Sequence, residues 1–219
     1  MKNYIFILML WFVSSCTETE SPDQATSNDK VQIGNQTWMN KNLDVKTFQN
    51  GDLIVEAKSK AEWLKSYENQ IPAWCYYENS AENGPIYGLL YNYYAIIDPR
   101  GLAPKGWKIP SGNDWQNLVT ALGGFTGLTE KLKSQTLWKN GGGNNSSGFN
   151  ALPAGEFYFD FTSKGEVSTW WANTLEPDGN PEIALINGIE SPHQFYISNT
   201  EIFLPTLLPA YSVRCISED

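Results

Sequence analysis

The chain is poor in the residues that metal and acid–base sites use most. It has one histidine, three cysteines and three methionines in 219 residues. A histidine-based zinc site needs several such ligands, and a Ser-His-Asp or Cys-His device would have to use His193. That residue sits in Ser191-Pro192-His193, a turn-like polar stretch where an exposed loop histidine is the plainer reading. Charge is also scarce, at 18% of residues, and it leans acidic: 15 Lys and Arg against 24 Asp and Glu, a net charge of −9. No basic run offsets this balance. Nucleic acid and anionic headgroups repel such a surface, so DNA and RNA are set aside as partners. No apolar run approaches the roughly 20 residues of a membrane-spanning helix. Gly141-Gly142-Gly143-Asn144-Asn145 lacks the following Lys-Ser/Thr and helix, so it is no phosphate loop.

Aromatic residues, by contrast, are plentiful: nine Trp, eleven Tyr and ten Phe. Rings of this size bury much area and hold loop-rich folds together. The length suits one sizeable domain.

The N-terminus reads as an export leader. Met1-Lys2-Asn3 carries one positive side chain, and Tyr4 to Val13 is unbroken apolar sequence, too short to span a bilayer. Val13-Ser14-Ser15-Cys16 resembles a bacterial lipobox, with Val13 where Leu is usual. Residues 1–16 are therefore expected to be a lipoprotein signal peptide ending at Cys16, the lipidated residue. Thr17 to Lys30 is polar, has no apolar periodicity and reads as a flexible tether. The expected location is the cell envelope, lipid-anchored, at the outer membrane or cell surface. Export would leave Cys75 and Cys215 in an oxidising compartment. Either they bridge, closing a loop of about 140 residues worth about 4 kcal/mol, or they are two separate buried thiols.

Val31 to Met39 predicts a hairpin turning at Gly34-Asn35. Ser59-Lys60-Ala61-Glu62 is a capping box that opens a short helix ending near Tyr67. Apolar spacing from Ile86 to Ile97 predicts another helix, stopped by Asp98-Pro99. Ser111 and Asp114 cap a helix that places Trp115, Leu118, Val119 and Leu122 on one face and ends at Gly123-Gly124. Short strands are expected at 149–152, 156–161, 166–171, 182–186, 194–197 and 212–216. Early helices and late strands make the fold class α+β, a single loop-rich domain over residues 31–217.

Several blocks together resemble the Fibrobacter succinogenes major paralogous domain. They are Ile33-Gly34-Asn35-Gln36-Thr37-Trp38-Met39 with Lys41-Asn42-Leu43, Trp74-Cys75-Tyr76-Tyr77, Tyr87-Gly88-Leu89-Leu90-Tyr91-Asn92, and Leu102-Ala103-Pro104-Lys105-Gly106-Trp107-Lys108-Ile109-Pro110. Trp115, Lys131-Leu132-Lys133, Gly148 to Gly155, Trp170-Trp171 and Ser212-Val213-Arg214-Cys215 follow in order. Leu89, where a basic residue is common, and Ala172, where Ser is common, depart from the pattern. The resemblance implies an exported or lipid-anchored bacterial protein and a C-type-lectin-like fold, shared with the formylglycine-generating enzymes. In that fold a Gly-Trp-x-x-Pro turn leads into a helix carrying a Trp, as Gly106 to Pro110 and Trp115 would. Its Arg-Cys ending, here Arg214-Cys215, implies a partner for Cys75. The cysteines do not match the formylglycine-generating motif, so that activity is not carried over.

The candidate ligand-binding residues are Trp170, Trp171, Glu176, Asp178 and Asn180. On a strand the paired Trp side chains point to opposite faces. Either both fill the core of a covered strand, or one stays outside to stack on a sugar or anchor a partner. Glu176-Pro177-Asp178 resembles the calcium- and sugar-binding tripeptide of C-type lectins, with Asn173, Asn180 and Glu182 as further oxygens. The segment equally fits a Pro-Asp-Gly turn, and the lectins' downstream Trp-Asn-Asp is missing. Glu156 is read as a strand brace ahead of a general acid. The function expected is binding or presenting a glycan or protein ligand without catalysis and without an obligatory cofactor, calcium being the one candidate. The alternatives are a polysaccharide-acting enzyme and a purely structural envelope component.

Overall fold

A computed structural model describes residues 29–175, 181–188, 194–199 and 208–219. The described residues open with the expected hairpin, β1 (Lys30–Ile33) against β2 (Gln36–Met39). β3 (Val55–Glu56) follows, then α1 (Lys60–Glu68). Ser59 begins α1 by accepting the Glu62 amide at 3.2 Å, and the Glu62 carboxylate accepts the Lys58 amide at 2.6 Å. β4 (Ala73–Cys75) runs parallel to β3.

The helix expected over 86–97 is not formed. The segment divides into α2 (Gly84–Tyr87), β5 (Leu90–Tyr91) and α3 (Tyr93–Ile96). Gly88, at φ 76°, ends the first turn. The Leu89 amide then donates to Leu43 O at 3.0 Å and the Tyr91 amide to Tyr211 O at 2.9 Å. The Asn92 side chain accepts the amides of Ala73 and Ala95, both at 3.0 Å, which caps α3 while tying it to β4. Leu89, Leu90 and Tyr91 are all buried, so no single helical face was available to segregate them. Backbone partners elsewhere in the fold overrode the local periodicity.

β6 (Trp107–Lys108) leads to α4 (Gly112–Ala121), whose Ser111–Asp114 capping box is complete. Trp115, Leu118 and Val119 are buried along it as the spacing predicts. α5 (Leu128–Leu132) has no counterpart among the sequence expectations. The strand expected at 149–152 reduces to an isolated bridge between Ala151 and Lys133. The one expected at 156–161 is a tight hairpin, β7 (Glu156–Tyr158) and β8 (Asp160–Thr162), turned at Phe159 with φ 56°. β9 (Val167–Leu175), β10 (Pro181–Asn187) and β11 (Gln194–Asn199) form an antiparallel sheet, and β12 (Ile216–Ser217) closes the described chain.

The strands fall into four sheets, ordered β1-β2-β12-β6, β11-β10-β9, β3-β4-β5 and β7-β8. The C-terminal segment touches all of them. Ala210 bridges to Phe157, Tyr211 to Tyr91 and Ser212 to Trp170. The Leu43 amide donates to Val213 O at 2.8 Å and the Met39 amide to Cys215 O at 2.9 Å. Ile216 then pairs with both Trp38 and Lys108. A segment too irregular to register as one long strand is therefore the member that joins the sheets.

Among the described residues, three apolar clusters fill the interior. One holds Trp74, Tyr91, Trp171 and Tyr211, a second Trp38, Trp115, Phe149 and Trp170, and a third Trp63, Tyr67 and Phe157. Ring centroids lie 4.7 Å apart for Trp38–Trp115, 5.7 Å for Trp115–Trp170 and 4.6 Å for Trp171–Tyr211. Such pairs contribute about 0.5–1.5 kcal/mol each beyond the area they bury.

Candidate functional site

β9 places Trp170 and Trp171 on its two faces, and both are 0% exposed. Trp170 enters the second cluster and Trp171 the first. Their indole N–H groups are spent inside the protein, Trp170 on Asn42 Oδ1 at 2.9 Å and Trp171 on Tyr91 O at 2.8 Å. Neither ring is available for stacking on a ligand. Of the two alternatives for this pair, the covered strand is the one formed.

Cys75 and Cys215 are free and buried, so the expected bridge is not formed. Cys75 lies on β4 in the third cluster, whereas Cys215 precedes β12 in the first. Each thiol is enclosed by its own apolar surroundings. Burial pushes both up, Cys215 to about 12 and Cys75 further, so both stay protonated near neutrality.

Cys16, Glu176, Asp178, Asn180 and His193 lie outside the described residues. Two of the accessory oxygens, Asn173 and Glu182, are described, and the β9–β10 pair brings them to the start of α4. The Asn173 amide donates to Pro110 O at 2.8 Å, and the Gly112 amide donates to Thr174 Oγ1 at 2.9 Å. The Glu182 carboxylate lies over Gly112, where a Cβ would stand 1.8 Å from Glu182 Oε2. That oxygen is buried and has no hydrogen-bond partner among the described residues. The amino end of a helix favours a carboxylate, and the same field opposes a cation. Among the described residues, no three His, Cys, Asp or Glu side chains are gathered as a metal site.

Sequence reasoning missed a buried polar constellation. Arg214 is fully buried. Its Nε and Nη2 donate to Asn42 Oδ1 at 3.1 and 2.7 Å, and its Nη1 to the carbonyls of Phe149 at 2.6 Å and Met39 at 3.3 Å. The guanidinium carbon lies 4.6 Å from the Phe149 ring centre and 5.9 Å from that of Trp170. Asn42 in turn donates to Tyr87 O at 2.9 Å. All these acceptors are neutral, and burial pulls the Arg214 pKa well below its ordinary value. The signal was present in the Lys41-Asn42-Leu43 and Arg214-Cys215 blocks, but nothing in either block says that they meet.

Glu156 is braced as expected. The Thr169 hydroxyl donates to its carboxylate at 2.8 Å, linking β7 to β9, and the nearby Tyr158 hydroxyl also favours its charged form. The Tyr158 and Tyr211 hydroxyls bond each other, joining this brace to the C-terminal segment. Desolvation raises the Glu156 carboxyl above its ordinary 4.5, against the opposing pull of the Thr169 and Tyr158 hydroxyls. The Tyr158 and Tyr211 phenols are pushed up mainly by burial as well.

On the surface, the turn of β1–β2 and the outer face of α4 enclose an open groove of about 430 Å³. It is lined by Ile33, Gly34, Asn35, Gln36, Asn117, Thr120 and Ala121. A second opening, beside Trp63, Cys75 and Phe161, has about 10 Å³, the space of a single water.

A mixed helix–strand architecture of short, mostly antiparallel strands and few helices, locked by aromatic rings and one buried arginine, defines the class of protein. The family model of the Fibrobacter succinogenes major domain matches residues 31–217. The chain belongs to that family. No curated protein and no solved structure matches it.

Proposed function

We propose that this protein is a lipid-anchored cell-envelope domain that binds or presents a glycan or protein ligand without catalysing a reaction. Cys16 carries the anchor after removal of the leader, and residues 17–30 tether the domain at the outer membrane or cell surface. In the same reading the fold is C-type-lectin-like, with calcium as an optional partner of Glu176, Asp178 and Asn180.

One observation carries the reading. The aromatic residues of the family blocks are spent on the scaffold: Trp38, Trp115, Trp170 and Trp171 are each 0% exposed and packed in the clusters joined by the C-terminal segment. A stiff base of this kind leaves recognition to the connections and surface turns it holds in place. No helix among the described residues is long and apolar enough to cross a membrane, and a lipid on Cys16 supplies the attachment in its stead.

The test has two arms. Mass spectrometry of the native protein should find a diacylated or triacylated Cys16 as first residue; an unprocessed Met1 without acyl mass would sink the anchor. Glycan arrays and envelope-protein pull-downs with the purified protein, with and without calcium, should yield a saturable ligand that is recovered unchanged. Turnover of a polysaccharide would overturn the non-catalytic reading.

A further inference from the structure

We propose that the groove between the β1–β2 turn and α4 binds a neutral saccharide through the side-chain amides of Asn35 and Asn117. The inference rests on the ligand-binding reading above and gives it a place and a chemistry.

The walls are fixed before any ligand arrives. Gly34, at φ 59°, seats the turn against α4 so closely that a Cβ there would lie 2.7 Å from the Ala121 Cβ. The Gln32 side chain donates to Gly34 O at 3.0 Å and accepts the Thr37 hydroxyl at 2.7 Å. Gln36 reaches across to α4, donating to Asp114 O at 3.1 Å, and accepts the Trp38 indole N–H at 3.3 Å. A groove held this way loses little conformational freedom when it is filled.

The lining selects the chemistry. Its polar groups are three primary amides, Asn35, Gln36 and Asn117, and the Thr120 hydroxyl. No charged residue among the described ones lines it, and nearby Asp114 is committed to its capping box and to Lys108 at 3.2 Å. An ionic ligand finds no counter-charge there. An apolar ligand finds only the edge of Ile33, itself 3% exposed, and the Ala121 methyl. A side-chain amide both donates and accepts, as each hydroxyl of a sugar does. Gln36 is already engaged, and Thr120 donates to Gln116 O at 2.9 Å. Among the described residues, the Asn35 and Asn117 side chains have no partner in the protein, so both amides are free for hydroxyls from opposite walls. The volume falls in the range of small-ligand sites, roughly 300–1,000 Å³.

The experiment titrates the full-length protein with neutral cello-, xylo- and malto-oligosaccharides and with an anionic oligogalacturonate. Isothermal titration and the side-chain amide signals of Asn35 and Asn117 are followed. The expected result is saturable binding of a neutral oligosaccharide, with those two signals shifted. In the Asn35→Ala/Asn117→Ala double variant affinity should fall about tenfold or more, with an unchanged melting temperature. Thr120→Arg, on the exposed face of α4, should block binding independently. Binding that survives both variants would overturn the groove while leaving a ligand-binding domain in place. Preference for the anionic oligosaccharide, or no neutral oligosaccharide bound at millimolar concentration, would overturn it as well.

Discussion

Arg214 and Arg100 carry the same side chain into opposite surroundings. Arg100 lies at the surface between two acids: Nε and Nη2 reach Asp98 at 2.9 Å each, and Nη1 reaches Asp52 at 3.1 Å. It also stacks over Phe48 at 4.1 Å. Arg214 has a sealed position, one amide oxygen and two carbonyls. By geometry Arg100 has the better ion pairs, yet water competes for every one of them. The neutral acceptors of Arg214 have no such competitor, and losing one strands a charge in a low-dielectric core. The difference teaches that the polar groups holding this fold together are found by burial rather than by counting ion pairs.

Substitutions can break the comparison in order of size. Asn42→Ala removes the oxygen shared by Arg214 and Trp170, and should cost roughly 3–5 kcal/mol in urea unfolding. Arg214→Met should cost less, on the order of 2–3 kcal/mol, because the buried charge leaves together with its bonds. The reverse ranking would show that the bonds matter more than the stranded charge. Gly112→Ala drives a methyl group into the Glu182 carboxylate at the start of α4, and a loss of about 1–2 kcal/mol is expected by thermal unfolding.

Glu156→Gln sharpens the comparison from the acid side. The folded-state pKa of Glu156 is raised, so its stabilising contribution is complete below the ordinary 4.5 and is lost as pH rises through the folded value. Glutamine keeps the neutral form throughout. The variant should match the parent in acid and melt higher at neutral pH, and equal melting temperatures across the range would refute the desolvated carboxyl. At the small end, Arg100→Ala should leave the melting temperature unchanged within error at physiological salt. A clear loss there would collapse the contrast between the two arginines.

Local signals were legible where a few neighbouring residues suffice. The Ser111–Asp114 box fixes the start of α4, and Gly34-Asn35 fixes the first turn. They failed where one segment serves several partners. Residues 86–97 carry helical spacing, but Leu89 and Tyr91 are claimed by Leu43 and Tyr211. Residues 156–161 look like one strand, yet Phe159 takes a left-handed turn that composition does not announce. Of the candidate site, the paired Trp residues were visible and their burial was not decided. Asn35 and Asn117 were overlooked because exposed asparagines look alike until two walls of a groove bring a pair of them together.

By itself the sequence determined the family, the single-domain extent of the match, the aromatic character of the core and the capped ends of its best helix. Each of these depends on composition or on residues within a few positions of one another. The tertiary structure alone decided that Cys75 and Cys215 stay apart, that both Trp rings turn inward, and that Arg214 meets Asn42 from 172 positions away. Those outcomes depend on which distant backbone closes over a side chain and excludes water from it, and no local pattern encodes that enclosure.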